Sequence, residues 1–305
     1  MGKILITIVG PTAVGKTSLA IKLAKHYKTE VISADSRQFY KELNIGTAKP
    51  SKNELKAVKH HLINNISIEK DYNISDFEKD ATISINQVFK NNDYAILVGG
   101  SGLYIDAVLY GIDKIPKVDS SIRKKLNKEF DKNGNVNLIK QLKELDPITK
   151  SKIDLNNHRR IIRALEVCIS TKKPYSSFLK YERSTSKYNE IILGINMDRK
   201  KLHLLINKRV DDMIENGLIK EVEGLIDYKD FNSLNTIGYT EIIDYLENKS
   251  SLDYAVEKIK TNTRRYAKRQ ITWFKSNKSI KWYSDNYNFS EITEMINSYS
   301  TQRLI

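Results

Sequence analysis

Residues 10–18, GPTAVGKTS, follow directly on the apolar run ILITIV at residues 4–9. Residues 10–17 match G-x-x-x-x-G-K-[ST] in the setting that pattern requires, a strand before it and a helix after it. Gly10 and Gly15 free the backbone to turn N–H groups inward, so that Pro11, Thr12, Ala13 and Val14 line a cradle for phosphate oxygens. Lys16 reaches the outer phosphates, and Thr17 offers its hydroxyl to Mg²⁺. The helix opens at once, with Leu19, Leu23 and Tyr27 recurring every four residues. Such a P-loop says that phosphates are gripped. It does not say which atom reacts.

Working outward, three more apolar runs read as buried parallel strands: EVISA (30–34), YAILVGG (94–100) and IILGINM (191–197). Helical patterns between the first three strands predict an α/β fold, a P-loop core built on a parallel sheet. The interval between the third and fourth runs is too long for a connection. SSIRKKLNKEF, NVNLIKQLKEL, ITKSKI and NHRRIIRALEVCISTKK within it read as helices, broken at DKNGN, DP and KKP. The organisation predicted is a catalytic core of residues 1–112 plus 190–305 and an inserted all-helical lobe at 113–189. The last long helix, near 252–275, is expected to bury Ala255, Ile259, Tyr266 and Trp273 on one stripe. The tail NYNFSEITEMINSYSTQRLI carries no readable signal.

Composition narrows the function. The chain has 305 residues, and no apolar stretch approaches the roughly 20 residues that cross a bilayer. The N-terminal run is too short for a signal peptide, and Ile6 stands where a myristoylation motif at Met1-Gly2 wants Ser or Thr. A single cysteine, Cys168, excludes an internal disulfide framework, and a cytoplasmic location is expected. Formal net charge is +14, which points to a polyanionic partner, although lysines scattered over a surface mean little. The distribution says more: residues 257–282 hold nine Lys or Arg against the single acid Glu257. That cluster includes Arg264, Arg265, Lys268 and Arg269 and reads as a nucleic-acid face.

Open α/β sheets bind ligands beyond the carboxyl ends of their strands. Asp35 lies there, just past EVISA, and is a candidate base or magnesium ligand; an N-cap is the plainer alternative. GGSGLY (99–104) follows the next strand, and its glycines with Ser101 suit a ligand contact. His60-His61, taken as helical neighbours, point about 100° apart with no third ligand in reach, so they read as capping or packing. Arg159, Arg160 and Arg163 either clamp phosphodiesters or form a solvated face supporting Glu166.

These motifs in this order resemble the bacterial tRNA dimethylallyltransferases, or tRNA isopentenyltransferases. The resemblance runs through GPTAVGKT (10–17), ISADSRQFY (32–40), IGTAKP (45–50), HHLI (60–63), ISDF (74–77), GGSGLY (99–104), RRIIRALEV (159–167), IGYTEIIDYL (237–246) and TRRYAKRQITWF (263–274). Three positions depart from the family pattern: Asn64 where aspartate is usual, Ser101 where threonine is common, and Arg37 where Met or a small residue often stands.

The resemblance implies transfer of a dimethylallyl group from dimethylallyl diphosphate to N6 of the adenosine 3′-adjacent to the tRNA anticodon, with diphosphate leaving and Mg²⁺ assisting. It implies Lys16, Asp35 and Ser101 as catalytic residues and Arg209 as a further diphosphate contact. The anticodon stem-loop would meet Asp35, Ser36, Arg37, Gln38 and Ser101 around the extruded base. Arg123, the stretch Arg159, Arg160, Ile161, Ile162 and Arg163, and the helix bearing Arg264, Arg265, Lys268 and Arg269 would hold the rest. A monomer is the family expectation. Three other readings stay open on the residues alone: a P-loop small-molecule kinase, a prenyltransferase acting on a free nucleotide, and a non-catalytic RNA-binding protein.

Overall fold

The computed structural model describes residues 3–180 and 185–302; the myristoylation reading at Met1-Gly2 lies outside them. The chain divides into two compact units, one of Met1–Gly111 with Ser186–Ile305 and one of Ile112–Thr185.

The first unit is α/β. Its strands are β1 (Ile4–Val9), β2 (Val31–Ser33), β3 (His60–His61), β4 (Tyr94–Val98), β5 (Asn189–Asn196) and β6 (Lys281–Ser284). They form one sheet in the order β3-β2-β4-β1-β5-β6, every neighbouring pair parallel. The central strand β1 is buried along its whole length, which is why it reads as an unbroken apolar run rather than an alternating one. All carboxyl ends share one edge, so the segments following β1, β2 and β4 meet there. The helix Lys16–His26 packs Leu19, Ala20, Leu23 and Ala24 against one face of the sheet.

Three local expectations are corrected. His60 and His61 lie on the edge strand β3, not on a helix; His61 Nε2 meets Glu30 Oε2 at 2.5 Å and His60 Nδ1 meets the Val58 carbonyl at 2.8 Å. The tail forms a helix, Phe289–Gln302, that buries Ile292 and Ile296 beside Tyr27 and Tyr94. The long helix Leu252–Lys275 buries Ala255, Ile259, Ala267, Gln270 and Phe274, whereas Trp273 is exposed and Tyr266 half-buried. At about 100° per residue positions 266 and 273 share the bearing of Ala255 and Ile259, but the buried face turns in the C-terminal half of the helix toward Ala267, Gln270 and Phe274, which leaves them at its margin.

The second unit is helical: Ser120–Asn133, Asn135–Leu145, Pro147–Lys152 and His158–Thr171, closed by a 3₁₀ turn at Tyr175–Phe178. Leu126, Leu138, Leu142, Ile161, Ile162 and Leu165 form its core. Asp146 pins it from inside. Its fully buried carboxylate accepts from Thr149 N (2.9 Å), Thr149 Oγ1 (2.6 Å), Ser176 N (2.7 Å) and Ser176 Oγ (2.9 Å). Burial pushes the carboxyl upward, but these four donors outweigh it and hold it below the usual carboxylate range. A depressed value means that the stabilisation is complete above the unfolded-state pKa of about 3.9 and is lost as pH falls through the folded value. Asp146→Ala should therefore cost on the order of 3 kcal/mol at pH 7, and the gap from wild type in chemical denaturation should shrink toward pH 3.

Candidate active site

The loop after β1 is held open for an anion. Gly15 adopts φ 96°, a left-handed conformation that the turn into the helix demands, and it caps that helix without a side-chain acceptor. The first-turn N–H groups are therefore left for an outside partner, and the helix dipole adds to their field. Pro11 and Thr12 do not supply donors as their place in the motif suggested. Proline has no N–H, and the Thr12 N–H is given to Gln270 Oε1 at 2.8 Å. The Pro11 carbonyl instead receives Lys16 Nζ at 2.6 Å.

Arg209 comes to the same loop from the helix Arg199–Glu215, with Nη1 donating to Thr12 Oγ1 at 3.3 Å. Burial, then the neighbouring Arg209 charge, pulls the Lys16 ammonium down to about 7, while Asp35 opposes them. Two cations crowded at one loop, beside first-turn N–H groups that no side chain caps, suit an anion.

Asp35 and Ser101 stand at the adjacent strand ends. Ala34 N donates to the Val98 carbonyl at 2.7 Å, which brings the segments after β2 and β4 side by side. Asp35 Oδ1 accepts from Arg37 N (2.9 Å) and Gln38 N (3.3 Å), cap-like bonds made to a turn and not to a helix, since the next helix begins only at Lys52. No bond from a described residue goes to Oδ2. Burial raises the carboxyl above its ordinary range despite those two N–H groups and the Lys16 charge. One carboxylate oxygen is thus fixed, and the other is available to a proton. Ser36 N donates to Ser101 Oγ at 3.1 Å, and the same buried hydroxyl is hydrogen-bonded to the Tyr266 side chain.

Other expected contacts divide. Gln38 is saturated by protein: Nε2 donates to the Thr47 (3.2 Å) and Ala48 (3.3 Å) carbonyls, and Oε1 accepts from Ser33 Oγ (3.2 Å). Its side chain holds the IGTAKP loop. Arg37 binds the Asn232 (3.2 Å) and Asn235 (3.1 Å) carbonyls. Tyr266 lies at the site, in contact with Ser101 and in the field of Asp35. Trp273 donates to Asp106 Oδ2 at 3.1 Å.

On the basic helix, Arg265, Lys268 and Arg269 are exposed. Arg264 is committed within the fold, to Asn207 Oδ1 at 2.6 Å and Thr261 Oγ1 at 2.8 Å. In the helical unit Arg159 and Arg160 are exposed. Ile161 and Ile162 are 0% and 3% exposed, so their side chains are core and not RNA contacts. Glu166 is no part of a solvated face either. It is fully buried, and it accepts a bidentate pair from Arg123 (2.6 and 2.6 Å) and a third bond from Arg163 (2.5 Å). The buried carboxylate presents two half-open guanidinium groups from separate helices.

Sequence reasoning missed Gln270. The available signal was a polar residue at the i+3 position between Ala267 and Phe274 on a buried stripe.

The sequence profile of the IPP transferase family matches residues 38–277. The chain is 49% identical over 298 residues to the tRNA dimethylallyltransferase of Christiangramia forsetii, spanning 98% of this chain and 99% of that one. It is 47% identical over 300 residues to the tRNA dimethylallyltransferase of Flavobacterium johnsoniae, spanning 96% and 97%. Among solved structures, the full-length tRNA isopentenylpyrophosphate transferase of Bacillus halodurans superposes with TM-score 0.72 at 37% identity, covering 99% of this chain and 97% of that one. A eukaryotic dimethylallyltransferase acting on tRNA superposes with TM-score 0.77 at 27% identity, covering 100% and 78%.

Proposed function

This chain belongs to the IPP transferase family and transfers a dimethylallyl group to tRNA; from that premise we propose how the site does it. The P-loop grips the diphosphate of dimethylallyl diphosphate as a leaving group, and the acceptor is N6 of the adenosine 3′-adjacent to the anticodon. The single observation that carries this reading is a division of labour at one sheet edge. Lys16 and Arg209 gather positive charge at the loop after β1, and beside them Asp35 offers an unoccupied carboxylate oxygen.

The N6 lone pair attacks C1 of the dimethylallyl group as the C1–O bond stretches. The bonding electrons leave with the diphosphate, whose growing charge Lys16, Arg209 and the first-turn N–H groups oppose where it develops. The exocyclic amine is a weak nucleophile because its lone pair is delocalised into the purine. Asp35 Oδ2 takes the N6 proton as the new C–N bond forms, and Ser101 donates to the base and fixes it. Among the described residues no three His, Cys, Asp or Glu side chains gather to hold a metal, so Mg²⁺ would bind through Thr17 and the diphosphate oxygens, as that ion does with phosphate substrates. When bound, it neutralises charge on the diphosphate.

The adenosine leaves the anticodon-loop stack to reach Asp35, at a cost of a few kcal/mol. Phosphodiester contacts from Arg265, Lys268, Arg269, Arg159 and Arg160 offset it. The reading includes a monomer at work in the cytoplasm; no described helix is long and apolar enough to cross a membrane.

The test is incubation with dimethylallyl diphosphate, Mg²⁺ and unmodified tRNA, followed by mass spectrometry of the nucleosides. One five-carbon unit on the adenosine next to the anticodon is expected, and an unchanged or phosphorylated adenosine would refute the reading. Arg265→Ala should weaken tRNA binding and lower the slope of log K against log salt by about one. A mononucleotide acceptor would show little of that dependence.

A further inference from the structure

Helix Leu252–Lys275 does more than carry exposed cations. Gln270, 5% exposed, turns inward between the two loops of the site. Its Oε1 accepts from Thr12 N at 2.8 Å, and its Nε2 donates to the Gly100 carbonyl at 2.9 Å. An amide of this length does both at any pH, since one end accepts and the other donates, whereas an ionised carboxylate only accepts. The fit is close: a Cβ on Gly100 would stand 2.2 Å from Gln270 Nε2, so glycine there makes room for this side chain.

Each loop then leads to a reacting partner. Thr12 Oγ1 receives Arg209, and the residue after Gly100 is Ser101, which receives Ser36 N beside Asp35. A continuous chain of bonds thus runs from the diphosphate side to the base side, with Gln270 as its middle link.

We infer that Gln270 is a positioning residue for prenyl transfer, setting the distance between the loop that holds the leaving group and the loop that holds the acceptor amine. This rests on the proposed function. In-line displacement at carbon is sensitive to that distance, and a misplacement of about 1 Å can cost about 10²-fold in rate.

Gln270→Glu keeps the shape but, when ionised, cannot donate to Gly100 O and places a negative charge near the diphosphate. Gln270→Met keeps the volume and makes neither bond. At pH 8 both variants should lose roughly 10²-fold in kcat. Only Gln270→Glu should also raise KM for dimethylallyl diphosphate. Both should hold the Kd for tRNA within about twofold, since neither change removes a phosphate contact. As pH falls toward 5.5, the introduced carboxyl, whose protonation burial favours and the Lys16 and Arg209 charges at the same loop oppose, takes a proton and regains a donor. The ratio of kcat for Gln270→Glu to wild type should then climb at least about tenfold, while the Gln270→Met ratio stays flat.

A flat Gln270→Glu ratio, or kcat within about threefold of wild type for both variants, would overturn the inference. So would loss of folding in both, because the amide would then serve the fold and not the spacing. Failure of the wild-type chain to prenylate tRNA in the same assay would count against the proposed function instead.

Discussion

Asp35→Ala is expected to lower kcat by about 10²–10⁴-fold, the usual contribution of a positioned general base, while tRNA affinity changes by less than about twofold. The size follows from what the carboxylate does. Without a base, the adenine amine must carry positive charge through the transition state, and that charge cannot spread into a ring already drawing on the lone pair. The position follows from Oδ1, which is held by Arg37 N and Gln38 N, so that Oδ2 has a fixed aim. Asp35→Asn keeps the shape and the turn and should lose nearly as much, which separates proton transfer from loop geometry. The wild-type rate should rise with pH through the Asp35 pKa, which burial places above the ordinary carboxylate range, and this acidic limb should vanish in both variants. Turnover near the wild-type level in Asp35→Ala would show that another group takes the proton.

Lys16→Ala is expected to cost about 3–4 kcal/mol in the activation free energy, the typical loss on removing one preorganised donor from a developing anion. Diphosphate affinity should fall as well, with tRNA binding intact. The lysine also predicts a pH signature. In the free protein its ammonium is pulled down to about 7, and a bound diphosphate, being anionic, must raise it again. The protonated form binds, so affinity is complete below about 7 and declines as pH rises through the free value toward the bound one. kcat/KM for dimethylallyl diphosphate should therefore fall above pH 7, whereas kcat, which reports the loaded enzyme, should hold to higher pH. Calorimetry above pH 7 in buffers of different ionisation enthalpy should register proton uptake on binding, and Lys16→Ala should abolish it.

Much of the site was legible because local chemistry dictates it. A glycine-framed lysine and threonine between a strand and a helix can do little besides hold phosphate. An aspartate and a serine just past neighbouring strands had to converge, since parallel strands share a carboxyl edge. Hidden features depended on partners far away in the chain. Gln270 meets Thr12 and Gly100 across 258 and 170 residues, and nothing near it in sequence marks the bond. Gln38 and Ile161 belonged to motifs, but motif membership does not distinguish a side chain facing ligand from one that holds the scaffold. Strands β3 and β6, of two and four residues, lie at the sheet edges, where polar side chains are admitted and the apolar run that marks a core strand is absent. The C-terminal helix does place Phe289, Ile292, Ile296 and Tyr299 at helical spacing, yet the Asn, Ser and Thr between them are weak helix formers, so packing on the sheet decides its fold.

The central claim is that carbon is attacked and the gripped phosphates depart. It is tested most directly with dimethylallyl diphosphate carrying ¹⁸O in the oxygen that bridges C1 and phosphorus. After one turnover on unmodified tRNA, the account predicts all of the label in free diphosphate and a five-carbon unit without ¹⁸O on the adenosine. Label retained in dimethylallyl alcohol or its monophosphate, with phosphate on the acceptor, would mean that a P–O bond broke, and would contradict it.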